Sequence, residues 1–136
     1  PLAIKIAKIN AKIQQVDNRI KFLNSDIDKF SLGKYDLIVS NPPYINKIEY
    51  NNLDAGVKDY EPKSALYGGL DGFRIIEKVI KKSKTILKNN GLLAMEIGIG
   101  QYYKTSELLT KNGFFISKTV RDYQKIKRCL FARKIK

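Results

Sequence analysis

Leu2, Ile6, Ile9, Ile13 and Val16 recur at helical spacing with lysines between them, which predicts an amphipathic helix from Pro1 to about Gln15 covering a sheet. Pro1 suits the first turn of such a helix. Asn18 to Asn24 reads as a turn followed by a short strand around Ile20 and Phe22, ending at Ser25-Asp26. Tyr35 to Ser40 is a short apolar run containing the β-branched pair Ile38-Val39, bounded by Gly33 and by Pro42-Pro43, and it predicts a buried strand of a parallel sheet. Residues Asn46 to Leu70 show little periodicity, so they predict a long lid or binding loop. Phe73, Ile76, Val79, Ile80 and Leu87 then share one face of a helix from Gly72 to about Lys88, with Asp71 as its cap and Asn89-Asn90-Gly91 as a left-handed ending. A buried strand follows from Gly91 to Ile97. A short helix from Gln101 to Lys111 ends at Asn112-Gly113, and two antiparallel strands, Phe114 to Val120 and Lys127 to Lys134, are joined across Asp122-Tyr123-Gln124. This alternation specifies an α/β sheet in one domain.

Composition narrows the chemistry. The chain has 136 residues, 43% of them hydrophobic, which suffices for a core, and no apolar run nears the roughly 20 residues of a membrane span. No signal peptide opens it, so a soluble, cytoplasmic protein is expected. One cysteine, Cys129, and no histidine exclude an internal disulfide and argue against a zinc or histidine-based site, so no metal is expected. Cys129 reads as a small apolar residue on a strand. The net charge of +13 has two readings: a solvated basic surface, or proximity to nucleic acid or the ribosome. Lysine supplies 21 of the 26 basic residues, spread along every segment, and arginine, the usual reader of phosphates and base edges, only five.

The candidate chemistry sits at Asn41-Pro42-Pro43-Tyr44, where the strand ends. Both prolines lack a backbone N–H and fix φ, so the chain leaves the sheet in a stiff turn. Open α/β sheets bind ligands at the carboxyl ends of their strands. There the Asn41 side-chain oxygen and the Pro42 carbonyl can accept from both N–H groups of a planar NH2, favour loss of its conjugation and aim its lone pair at an electrophile, with Tyr44 as a flat wall. The alternative is a plain strand-to-loop turn. Tyr50, Tyr60 and Tyr67 could shape a substrate slot or simply cover the sheet edge. Gly98-Ile99-Gly100 alone is too weak a signal for a phosphate loop.

Asn41-Pro42-Pro43-Tyr44 after Tyr-Asp-Leu-Ile-Val-Ser resembles the amino-methylating S-adenosylmethionine-dependent methyltransferases. Ile45, Tyr60-Glu61-Pro62-Lys63-Ser64-Ala65-Leu66, Gly68-Gly69-Leu70-Asp71-Gly72 and Glu96-Ile97-Gly98 narrow the likeness to the peptide chain release factor N5-glutamine methyltransferases, the HemK/PrmC family. The resemblance runs from Pro1 to about Arg133. It implies a Rossmann-like seven-stranded sheet that ends in a reversed hairpin, S-adenosylmethionine as cofactor, and transfer to the amide nitrogen of a glutamine in a Gly-Gly-Gln segment of a release factor. Asn41, Pro42, Pro43 and Tyr44 would be the catalytic set, with Asn41 also near the cofactor. Asp26 and Ile27 match positions beside the adenine, although Asp26 can equally cap the turn leading to Phe30. Glu61 and Pro62 match a motif near the substrate slot. Glu96 would support the active-site turn or, more plainly, pair with a lysine.

The family's Gly-rich cofactor loop and the acidic residue that would hold the ribose have no counterpart among these residues. The chain is therefore expected to be the carboxyl-terminal part, residues 1–136, of a catalytic domain lacking its first two strands, with a gap beside the Ile20 strand and raw edges open to self-association. Such a chain is expected to be incompetent by itself. Two other readings stay open: methylation of an exocyclic amine of adenine or cytosine reached by base flipping, and a non-catalytic binding module.

Overall fold

In the computed structural model, which describes residues 2–135, the chain forms two units, residues 1–30 and 31–136. In the first, helix α1 (Leu2–Ile13) forms where the periodicity places it, and Gln15 takes a left-handed φ of 53° that stops it. Leu2, Ile6, Ile9 and Ile13 are exposed, and only Ala11 of this helix is buried. A single 3₁₀ turn, Asp17–Arg19, follows. The strand expected around Ile20 and Phe22 does not form. Ile20 is extended, with φ −118° and ψ 126°, yet it has no ladder partner among the described residues, and an extended segment becomes a strand only through pairing.

The second unit is a four-stranded sheet in the order β1-β2-β4-β3, built from β1 (Tyr35–Ser40), β2 (Leu87–Glu96), β3 (Phe114–Arg121) and β4 (Lys127–Lys134). β1 runs parallel to β2, while β2–β4 and β3–β4 are antiparallel. The closing hairpin is the one anticipated. Asp122 organises its turn, its Oδ1 accepting from the N–H groups of Gln124 and Ile126 at 2.9 Å each.

Helices α5 (Arg74–Ile86) and α6 (Tyr102–Lys111) contact one another and pack on the sheet. Ile76, Val79 and Ile80 of α5, Leu93 and Met95 of β2, Leu109 of α6, Phe114 and Leu130 are all closed to solvent and make up the core. Each such aliphatic side chain contributes about 1.5–3 kcal/mol on burial. The expected helix face was right, but its ends were not. Asp71 Oδ1 accepts from Phe73 N–H at 3.1 Å, in a turn just before the helix, and α5 stops at Ile86 because Leu87 already enters β2. Asn90 is left-handed as expected, with φ 65°, but inside the irregular start of β2.

Two further expectations change. β1 is an edge strand, not a buried one: Ile38 and Ser40, paired with Leu93 and Met95, turn inward, while Leu37 and Val39 lie 51% and 74% exposed. An apolar run does not reveal whether both its neighbours exist. The supposed loop from Asn46 to Leu70 holds three short helices, α2 (Lys47–Asn51), α3 (Ala55–Lys58) and α4 (Lys63–Leu66). Asn46 and Glu49 form a reciprocal capping box and Asp54 caps α3, so α2 and α3 are specified by their ends, not by an apolar period, while α4 starts after Pro62 with no side-chain cap.

Candidate active site

β1 delivers Asn41 to the rim of the sheet. Asn41 is exposed and its carboxamide has no hydrogen-bond partner among the described residues, while Pro42 is buried and no described residue donates to the Pro42 or Pro43 carbonyl. Asn41, Pro42, Pro43, Tyr44, Ile45, Glu61, Ala65 and Leu66 line a cavity of about 250 Å³. Four predicted site residues are thus together, and Glu61 joins them. The three tyrosines Tyr50, Tyr60 and Tyr67 do not line it. Tyr50 and Tyr67 pack edge to face with centroids 5.7 Å apart and Lys63 over both rings, and Tyr60 points into solvent.

Beyond Tyr44 the turn is anchored. Ile45 N–H donates to Leu66 at 3.0 Å and Gly68 N–H returns a bond to Ile45 at 2.9 Å, closing a short parallel bridge between Ile45 and Tyr67. The approach is close enough that a Cβ on Gly68 would lie 2.7 Å from the Pro43 carbonyl oxygen. Arg128 Nη2 donates to the Tyr44 hydroxyl at 2.9 Å and to Glu96 Oε1 at 3.2 Å, and Tyr44 Oη in turn reaches Glu96 Oε1 at 3.3 Å. Glu96 supports the turn, through an arginine and not a lysine. Strand pairing brings these groups together: Ile97 N–H donates to the Arg128 carbonyl at 2.9 Å. Burial opposes the Arg128 charge, but the Tyr44 hydroxyl and then Glu96 more than offset it, so its pKa lies above the ordinary arginine value. A second cavity, about 570 Å³, shares the Tyr44-Ile45 wall and is lined by Glu49, Asp71, Phe73, Gly98, Gln101 and Arg128 among others.

Gln101 and Arg128 were not anticipated. Gln101 follows Gly98-Ile99-Gly100 at the start of α6, where a residue of capping type would be ordinary, and its side chain makes no cap bond. Cys129 lies on β4 as expected and is free. Asp26 sits in the other unit, exposed. Its Oδ1 accepts from Asp28 N–H at 2.9 Å and its carbonyl from Lys29 and Phe30, so it does cap the turn towards Phe30, while Ile27 is half-buried. Among the described residues no group of His, Cys, Asp or Glu could hold a metal ion, and no helix is long and apolar enough to cross a membrane.

A model of the Eco57I restriction-modification methylase family matches residues 3–128. The chain is 38% identical over 135 residues to a release factor glutamine methyltransferase of Clostridium acetobutylicum, covering 97% of this chain and 47% of that protein. It is 41% identical over 136 residues to the protein of the same name from Fusobacterium nucleatum, covering 97% and 38%. It thus spans less than half the length of these relatives. Among solved structures, the ribosomal protein L11 methylase of Lactobacillus delbrueckii subsp. bulgaricus superposes with a TM-score of 0.64 at 20% identity, over 96% of this chain and 52% of that one. TrmN of Thermus thermophilus superposes with 0.60 at 16% identity, over 97% and 33%. The fold is the Rossmann-like α/β fold of S-adenosylmethionine-dependent methyltransferases. The chain belongs to the Eco57I restriction-modification methylase family, whose model spans residues 3–128.

Proposed function

We propose that the protein carrying this chain transfers a methyl group from S-adenosylmethionine to the side-chain amide nitrogen of a glutamine in a peptide chain release factor, in its Gly-Gly-Gln segment. The observation that carries the reading is the unpartnered Asn41 carboxamide beside the undonated Pro42 carbonyl in a cavity of about 250 Å³. These acceptors fit a neutral NH2 group that must lose a proton and cannot be gripped by donors. The names of the curated relatives support the same substrate. Residues 1–136 contribute the acceptor part of the catalytic domain in this reading.

The bound cofactor supplies an electrophilic methyl on a sulfonium. Asn41 Oδ1 and the Pro42 carbonyl hold the two amide hydrogens, so the nitrogen lone pair turns out of conjugation and towards that carbon. Pro43 stiffens the turn, and Tyr44, fixed through its hydroxyl, walls the cavity. Transfer would break the methyl–sulfur bond as the nitrogen–carbon bond forms, and the amide proton held by Asn41 Oδ1 or the Pro42 carbonyl would then pass to water. By the family resemblance Asp26 and Ile27 would lie beside the adenine of the cofactor, Asp26 keeping the carboxylate oxygen that its own turn does not use.

A second reading, transfer to an exocyclic amine of adenine or cytosine, is favoured by the description of the matching family and by the +13 charge. Incubating the full-length protein with tritiated S-adenosylmethionine and either purified release factor or DNA and RNA separates the two. Label is expected on the release factor glutamine; label on nucleic acid alone overturns the proposal.

A further inference from the structure

The side chain that aims the turn lies sixty residues away from Asn41, at the mouth of α6. Gln101 is 8% exposed and spends its amide on three separate segments. Nε2 donates to the Tyr44 carbonyl at 3.1 Å and to the Gly72 carbonyl at 3.3 Å, while Oε1 accepts from Gly98 N–H at 2.9 Å. Both hydrogens of the carboxamide are used. The surroundings are cut to fit it: a Cβ on Gly72, where φ is +80°, would stand 2.8 Å from Nε2, and one on Gly98 would stand 2.9 Å from Oε1 and 2.8 Å from the Tyr44 ring. Gly72 and Gly98 thus clear space around one amide and one tyrosine.

We propose that Gln101 is a positioning residue for methyl transfer, holding the Tyr44 end of the turn so that Asn41 and the Pro42 carbonyl keep their aim. The inference rests on the function proposed above and assigns no contact between Gln101 and substrate. Its mechanism is geometric. Asn41 and Pro42 make no hydrogen bond of their own among the described residues, so between the end of β1 and Tyr44 their direction depends on Tyr44, whose hydroxyl is tied to Arg128 and Glu96 and whose carbonyl is tied to Gln101. Freeing the carbonyl leaves the ring anchored and lets the main chain swing about it, and misplacement by an ångström is enough to lower a rate by roughly 100-fold.

The test uses the full-length protein with tritiated S-adenosylmethionine and purified release factor. Gln101→Met keeps the volume and removes every hydrogen bond; kcat should fall by roughly 10- to 100-fold while KM for S-adenosylmethionine stays within about twofold. Gln101→Glu keeps the acceptor for Gly98 N–H but faces two carbonyls with a carboxylate; protonation restores one donor, so its kcat relative to wild type should climb as the pH is lowered. The Met variant should show no such recovery. Wild-type kcat in a folded Gln101→Met protein, or a loss confined to cofactor KM, overturns the proposal. If the Met variant does not accumulate folded, a pH-independent ratio for Gln101→Glu overturns it. Failure of the wild-type protein to label release factor at all would instead strike the proposed function.

Discussion

Replacing Arg128 by methionine probes the brace behind Tyr44. The guanidinium bonds the Tyr44 hydroxyl at 2.9 Å and the Glu96 carboxylate at 3.2 Å, and it lies 5.4 Å from the centre of the tyrosine ring. The Arg128 and Glu96 side chains are 23% and 32% exposed, which places the pair between two regimes. An exposed ion pair contributes roughly 0–1 kcal/mol, and breaking a buried one costs about 3–5 kcal/mol. Methionine preserves most of the packing of the stem, and Glu96 keeps both the Tyr44 hydroxyl and its solvent-facing third. The expected loss is therefore about 2 kcal/mol, roughly 6–10 °C in Tm for a domain of this size. Thermal unfolding followed by circular dichroism measures it, and a double-mutant cycle with Tyr44→Phe should show a coupling of about 1 kcal/mol. A melting shift under about 2 °C, or additivity within about 0.3 kcal/mol, would refute the claim that Arg128 braces the turn.

Asn41→Ala should lower kcat by at least roughly 100-fold while moving Tm by no more than about 1–2 °C, because the carboxamide is exposed and bonds nothing in the fold; steady-state kinetics and a melt on the same preparation check both halves. Gly72→Ala and Gly100→Ala make a matched pair, since both glycines have φ near +80° but only the first meets neighbours: the added methyl at Gly72 presses on the Tyr44 carbonyl and on Gln101. The second should cost about 1 kcal/mol of backbone strain and the first about 3 kcal/mol or more, read by urea denaturation. The hydrogen bond from Lys104, with that from Phe73 N–H, holds the Asp71 carboxyl below its usual range. A depressed carboxylate pKa stabilises fully above the unfolded value and loses that contribution as the pH falls through the folded one, so Asp71→Asn should melt lower than wild type at neutral pH and converge with it below about pH 4. A constant gap across that range would contradict it.

Fold and site were legible to different depths for physical reasons. β4 and α6 sit where periodicity and the Asn112-Gly113 stop place them, because local pattern and tertiary packing agree there. The Asn41 to Tyr44 set was readable since a strand running into two prolines has few ways to continue. Ile20 to Phe22 misled because a strand is a property of a pair, and its partner is not written in its own residues. Leu37-Ile38-Val39 misled for the same reason from the other side: the run is apolar on both faces, yet one face is open. The capped helix α2 was within reach, as Asn46 and Glu49 stand three apart with a capping residue first. Gln101 and Arg128 were not, since nothing local marks a side chain whose partners are 57 and 84 residues distant.

The outer side of β1 has consequences for the protein as a colloid. Its backbone donors and acceptors have no ladder partner among the described residues beside Leu37 and Val39, the arrangement through which sheets of separate molecules pair edge to edge. What opposes that pairing is long-range: at +13, two copies repel before their edges meet. Added electrolyte shortens this repulsion to about 8 Å at physiological ionic strength. Salt should thus turn a clear solution of this chain turbid at concentrations where the folded sheet itself is untouched, and dilute buffers will keep it dispersed.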